Sequence, residues 1–228
     1  MFRRMLCPLL LILPALVPLA AQEKSVRPGI NDPFKDPDLK GFLKKFEIES
    51  REIYAKRKDI VKALGLKPGM DVADVGAGTG LFTRLFAKEV GPKGKVYAVD
   101  IAEGFLKHIQ STCKAEKIEN VVTIQCDQFS SKLAPNSVDL VFICDTYHHF
   151  EHPQRTLRSI HQALRPGGKL VLIDFHRIPG KSSEWTLGHV RAGQEVFVGE
   201  VVESGFRPVD ELKLMEDNYF VRFVKAEK

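Results

Sequence analysis

Apolar and polar positions follow two different periods along this chain. From Asp38 to Leu66 the period is helical: Leu39, Phe42, Leu43 and Phe46 share a face, and Ile53, Ile60, Val61 and Leu64 continue the spacing. Gly65 and Pro68-Gly69 stop it. Short strand-like runs then alternate with helical ones. A strand at about 70–75 leads into a glycine-rich loop and a helix through Lys88. "KVYAVD" (95–100) predicts a second strand, followed by a helix over about 102–116. "VVTIQC" (121–126) predicts a third strand and "SVDLVFIC" (137–144) a fourth, so apolar that it is expected to be buried on both faces. A helix over about 153–164 ends at "RPGG", and "KLVLIDF" (169–175) is the fifth strand.

The last part of the chain departs from that alternation. Residues 193–206 read as a helix, and "FRPVDELKLM" and "NYFVRFVKA" read as two strands joined by a short "EDN" turn. The expected fold is α/β: a doubly wound, Rossmann-like sheet of five parallel strands plus a C-terminal strand pair, one strand of which is antiparallel.

Composition adds limits. The chain has 228 residues, 44% of them hydrophobic, enough for one sizeable core. Its net charge is +5, and Arg3 and Arg4 supply two of those charges, which leaves too little to argue for nucleic acid. Residues 1–21 differ from the rest: a basic start, the apolar run "LCPLLLILPALVPLAA" broken by three prolines, then "QEKS". This predicts a secretory signal cut near Ala21, with an uncleaved membrane anchor as the alternative. The expected location is therefore exported or N-terminally anchored, and cytosolic if the signal is not used. Proline-rich residues 22–37 are expected as a linker and 38–228 as one domain. Cys113, Cys126 and Cys144 lack disulfide or zinc spacing and are expected as small core hydrophobes.

The chemistry concentrates in "DVADVGAGTGLF", Asp71 to Phe82. Gly76 and Gly78 fit the dinucleotide fingerprint, but its last glycine is replaced by Leu81, and no Gly-Lys-Ser/Thr phosphate loop follows. Glycines there let backbone N–H groups approach a ligand. Asp74 would repel a pyrophosphate and suits a cationic ligand. With "VYAVDIA", "QCDQF" and "LRPGGKLVLID", this segment resembles the class I S-adenosylmethionine-dependent methyltransferases, nearest to the small-molecule branch that includes quinone methyltransferases. The resemblance runs from about Tyr54 to the C-terminal strands. It implies S-adenosylmethionine as cofactor, with Asp74, Gly76, Ala77, Gly78 and Gly80 around its methionyl part. Asp100 would bind the ribose diol and Ile101 pack on the adenine. Asp127 would bond the adenine amino group with Gln128 beside it, and Asp145 would face the methionyl group or the acceptor. Taken alone, Asp100 and Asp127 also read as helix-cap or turn acids.

Methyl transfer needs alignment of donor and acceptor, and a base only where the acceptor loses a proton. In "CDTYHHFEH" (144–152), Tyr147, His148 and His149 are candidates for orienting an acceptor or taking its proton; packing the loop or capping the next helix is the alternative. His148 and His152 are four apart, but no third ligand is evident in the sequence, so no metal is expected. The Tyr54/Lys58 pair of short-chain dehydrogenases lies on the wrong side of the glycine loop and reads as chance. Where amino-group methyltransferases carry Asn-Pro-Pro-Tyr, this chain has Asp145-Thr146-Tyr147-His148, so a nucleic-acid-base or protein-amide acceptor is not supported, and a small or lipid-like acceptor is expected. The N-terminal helices and residues 177–195 are expected to cover the site, with Trp185, His189 and Arg191 lining the acceptor pocket. The competing functions are a nicotinamide-dependent oxidoreductase or epimerase, against which Leu81 counts, and a cofactor-binding protein without turnover.

Overall fold

The computed structural model describes residues 24–226. The expected signal or anchor at 1–21 lies outside the described residues, among which no helix is long and apolar enough to cross a membrane.

Seven strands form one sheet: β1 (Val72–Val75), β2 (Val96–Asp100), β3 (Val121–Gln125), β4 (Val138–Cys144), β5 (Leu164–Phe175), β6 (Phe206–Glu211) and β7 (Asn218–Lys225), in the order β3-β2-β1-β4-β5-β7-β6. The first five are mutually parallel, and β7 runs antiparallel between β5 and β6. That is the expected five plus a C-terminal pair. Residues of opposite parity feed opposite faces, because side chains alternate along a strand. Ala73, Val141 and Leu172 pack in one layer with α6 (Pro153–Ala163) and α8 (Gln194–Glu203). Val72, Leu140 and Val171 pack in the other with α3 (Arg57–Leu64) and α4 (Leu81–Val90). α5 (Glu103–Ala115) covers β2 through Ile109 and Cys113.

Three boundaries differ from the sequence expectation. The stretch 38–66 is not continuous: α1 (Leu39–Phe46) and α2 (Glu52–Ala55) precede α3, and the break at 47–51 brings Phe46 and Arg51 toward the carboxyl edge of the sheet. β5 starts at Leu164, because Leu164 pairs with Val138 and Lys169 with Leu140 while 165–168 loop out of register. β6 ends at Glu211 after a register shift at Pro208, a residue with no N–H for the ladder, so the connection to β7 spans 212–217. Residues 24–37, expected as a linker, lie against the domain. Val26 N–H donates to the Glu151 carbonyl at 2.9 Å, and Asn31 donates to the His149 carbonyl at 3.1 Å.

Candidate active site

β1 ends at Val75, and the chain enters α4 through Gly76, Gly78 and Gly80, all with positive φ (78°, 52° and 78°). Gly76 is also crowded. A Cβ there would lie 2.1 Å from Thr146 Cγ2, so the bare backbone is what lets Thr146 pack against the loop. Gly78 donates its N–H to Asp100 Oδ2 at 2.8 Å, tying the loop to the end of β2.

Gly76, Gly78 and Asp100 line a cavity of about 550 Å³. This size lies within the usual range for small-molecule sites. Ile101, Cys126, Asp127 and Gln128 line it too. Much of the rest of the wall is aromatic, and it reaches the glycine loop, since a Cβ on Gly78 would meet Phe46 at 3.8 Å. Phe34, from a 3₁₀ turn at Asp32–Phe34, stacks on Phe42 of α1 with centroids 5.3 Å apart, and Phe46, Phe105 and Phe175 continue the wall. Trp185 and His189 enter from α7 (Glu184–His189), their rings stacked at 4.5 Å. The expected covers, the N-terminal helices and 177–195, both contribute. Residues 24–37 form a third cover.

The carboxylates divide into different tasks. Asp74 was expected to face the ligand, but it does not line the cavity. It is buried and accepts from Thr83 Oγ1 at 2.6 Å, which pins the first turn of α4. Burial pushes its pKa up to about 7, against the Thr83 hydrogen bond. Ala77 and Gly80 also point away: Ala77 packs with Ala98 and Ile109, and a Cβ on Gly80 would meet Ile109 at 2.6 Å. Asp100 does line the cavity, yet both its oxygens already accept backbone N–H groups, from Gly78 and Ala102 at 2.8 Å each. Burial still lifts its pKa to about 6. Asp127 Oδ1 accepts from Phe129 and Ser130 N–H, and Oδ2 pairs with Lys132 at 2.7 Å. Burial would raise this carboxyl, but Lys132 and the backbone donors hold it below the usual range. It is a turn acid at the cavity edge. Asp145 sits at positive φ (48°) where β4 ends, and its carboxylate is held by Arg51 and by Asn218 Nδ2 at 2.6 Å. Burial raises its pKa, opposed by Arg51.

The left-handed turn at Asp145 redirects the chain into the next segment. Tyr147, expected as a catalytic candidate, points into the core: its hydroxyl donates to Glu200 Oε2 at 2.7 Å, and burial with that carboxylate raises its pKa well above normal. Arg191, expected in the pocket, pairs with the same Glu200 on the core side. His148 and His149 do line the cavity. His148 Nδ1 is 2.8 Å from Asp174 Oδ1, a fully buried carboxylate at the end of β5. His149 Nε2 is 3.3 Å from His189 Nε2. Burial and the neighbouring histidines lower His149 to about 2; burial, followed by His148 and nearby cations, lowers His189 to about 4. Both rings are therefore neutral near pH 7 and poor general bases there. The sequence pair His148 and His152 does not converge, because His152 packs on Phe129 at 4.5 Å.

Residues 73–172, which carry the loop, Asp100 and the His148 turn, match the family model described as a methyltransferase domain. A solved S-adenosylmethionine-dependent methyltransferase from Aquifex aeolicus superimposes with a TM-score of 0.73 at 26% identity, covering 84% of this chain and 100% of that one. Over residues 73–172 the chain is thus similar to a methyltransferase domain, and its fold is that of the S-adenosylmethionine-dependent methyltransferases. Among curated relatives of this chain, the ubiquinone/menaquinone biosynthesis C-methyltransferase UbiE of Ectopseudomonas mendocina is 34% identical over 121 residues, 53% of this chain and 47% of that one. A demethylmenaquinone methyltransferase of Geobacillus stearothermophilus is 31% identical over 118 residues, 52% and 50% of the two chains. The chain thus spans about half the length of the curated relatives it matches.

Four contributors to the candidate site were not picked out from the sequence. Asp174 had a signal, a carboxylate closing an apolar strand, the same signature that marked Asp100 and Asp145. Arg51, Asn218 and Phe34 had none, since each arrives from a distant part of the chain.

Proposed function

We propose that this chain transfers the methyl group of S-adenosylmethionine to a small, lipid-like acceptor with an oxygenated aromatic ring, of the quinol kind. The observation that carries this reading is one continuous cavity joining Gly76, Gly78 and Asp100 to the wall of Phe34, Phe42, Phe46 and Trp185. The loop fits the cofactor: at Gly76 the main chain is bare where a side chain would collide with Thr146, and Asp100 keeps a second lone pair on each oxygen for hydroxyl donors. When bound, the cofactor supplies a methyl group on a positively charged sulfur. Asp100 orients the ribose, and Ile101 and Gln128 border the adenine. Asp74 acts indirectly, by fixing the start of α4 through Thr83.

The aromatic wall holds a flat acceptor and excludes water. His148, its Nδ1 engaged by Asp174, borders the space for the acceptor. Alignment supplies most of the rate, since a well-oriented pair of reactants gains several kcal/mol of barrier reduction from position alone, roughly 7–11 kcal/mol at best. No nucleic acid takes part in this reading, and any membrane contact is through residues 1–21.

The test is incubation of the full chain with methyl-labelled S-adenosylmethionine and the reduced form of demethylmenaquinone, with NADH binding measured in parallel. Label in the quinone product supports the proposal. Binding of NADH with no affinity for S-adenosylmethionine or S-adenosylhomocysteine would mean an oxidoreductase instead. Cofactor binding without label transfer to any oxygenated aromatic ring would remove the acceptor assignment.

A further inference from the structure

His148, His149 and His189 each offer a ring nitrogen within 4.8 Å of those of the other two. Two come from one turn and the third from the end of α7, 40 residues later, so the fold gathers them rather than the local sequence. We propose that these three histidines bind a single first-row divalent cation, with zinc the best fit, at the acceptor end of the cavity.

Four observations carry the assignment. The His149 Nε2 to His189 Nε2 separation is 3.3 Å. Two nitrogens on a tetrahedral zinc at about 2.0–2.1 Å lie about 3.3–3.4 Å apart, so this edge is already at metal-binding length. His148 is buried and its nitrogen lies within 4.8 Å of the other two, so closing to metal-binding length needs a shift of at most about 1.4 Å. Second, the Asp174 carboxylate accepts from His148 Nδ1 at 2.8 Å, leaving Nε2 for the metal. A carboxylate behind a ligating imidazole is the usual outer support, fixing the tautomer and raising basicity. Third, Trp185 stacks on His189 at 4.5 Å with planes 21° apart, which restrains the third ligand. Fourth, all three histidines line the cavity, so a fourth coordination position opens toward the acceptor. Three protein ligands with one open position is the arrangement of catalytic rather than structural zinc. All-imidazole donors favour zinc, copper, nickel or iron over magnesium and calcium. The open position suits an oxygen of the acceptor, a consequence that rests on the proposed methyl transfer; the metal site itself does not.

The experiment uses the untagged full chain, stripped with a chelator and then titrated with Co²⁺ and, by competition with a chromophoric chelator, with Zn²⁺. One ion per chain with a tetrahedral cobalt spectrum is expected. His149→Ala and His189→Ala should each weaken affinity at least about 100-fold, and Asp174→Asn about 10- to 100-fold through His148. Circular dichroism checks that each variant folds, and His189, only half buried, provides the variant least at risk. The site is refuted by absence of stoichiometric binding near neutral pH, or by affinity unchanged in both the His149 and His189 variants. S-adenosylhomocysteine binding by the metal-free chain is measured separately. Its presence without metal binding overturns the metal site and leaves the methyltransferase reading standing; the reverse result does the opposite.

Discussion

At Gly76 a single added carbon meets Thr146 at 2.1 Å while the backbone holds φ at 78°. An L-residue there costs roughly 1–2 kcal/mol before any collision. Gly76→Ala should therefore weaken S-adenosylhomocysteine binding by at least about 10-fold. Adding Thr146→Ala should recover only part of this, because the Thr146 Cβ remains 2.7 Å from the new carbon. Calorimetry on the single and double variants checks both statements. Asp100 gives a pH signature. Its pKa is near 6 in the free protein, and hydroxyl donors from a bound ribose favour the ionised form. Affinity should then rise about tenfold from pH 5 to 7.5 and level off above. Asp100→Asn should bind more weakly and flatten that profile. Its amide would turn a donor toward Gly78 or Ala102 N–H, both of which need an acceptor. A neutral residue that kept wild-type affinity at pH 7.5 would remove Asp100 from the ribose site.

Among the elements, the segment before α1 has a larger part than its proline-rich composition implied. Asn31 and Val26 anchor it to the turn that carries His149, and the Phe34 ring meets the His149 ring edge-on at 5.1 Å. Phe34→Ala should raise the acceptor KM by roughly 5- to 10-fold through lost aromatic contact, about 1 kcal/mol or somewhat more. Cofactor affinity should change little, since the glycine loop is held by β1, β2 and Thr146 instead. Steady-state kinetics at saturating cofactor separate the two parameters. Equal weakening of both would place Phe34 over the cofactor.

For the whole molecule, the buried carboxylates set how stability responds to pH. Asp74 has its folded pKa raised from 3.8 to about 7, so the folded chain holds a proton there that the unfolded chain has released. Stability from this group is present at low pH and lost as pH rises toward 7 and beyond. Between pH 5.5 and 8 the loss is about 2 kcal/mol. Asp74→Asn keeps an oxygen for Thr83 and carries no charge, so urea unfolding should show a smaller drop over the same interval. A drop as large as wild type would mean Asp74 is ionised throughout. The export of the protein, proposed from residues 1–21, predicts a native N-terminus near Gln22. Intact-mass measurement on protein from its own host decides it, and retained Met1 on a cytosolic chain rules export out.

The order of strands and helices was legible in the sequence because each element buries its own face, and periods of 3.6 and 2 are local signals. The glycine loop and the carboxylates closing β2 and β4 were legible because a tight turn and a strand end constrain residue type on the spot. The directions of side chains were not. Asp74 faces inward to Thr83, and Tyr147 faces inward to Glu200, while its neighbours His148 and His149 face the cavity. Periodicity fails in a turn only three residues long, and the left-handed Asp145 sets its direction. Arg51, Asn218, Asp174 and His189 reach the site from positions up to 167 residues apart (218 − 51). Only the packing of β5 and β7 beside β4, and the placing of the 47–51 break and α7 at the cavity, puts them together. Sequence by itself determined the scaffold and the glycine loop, where residue type and backbone coincide. Tertiary structure decided the acceptor end, where side chains from separate elements meet across a cavity that no local pattern describes.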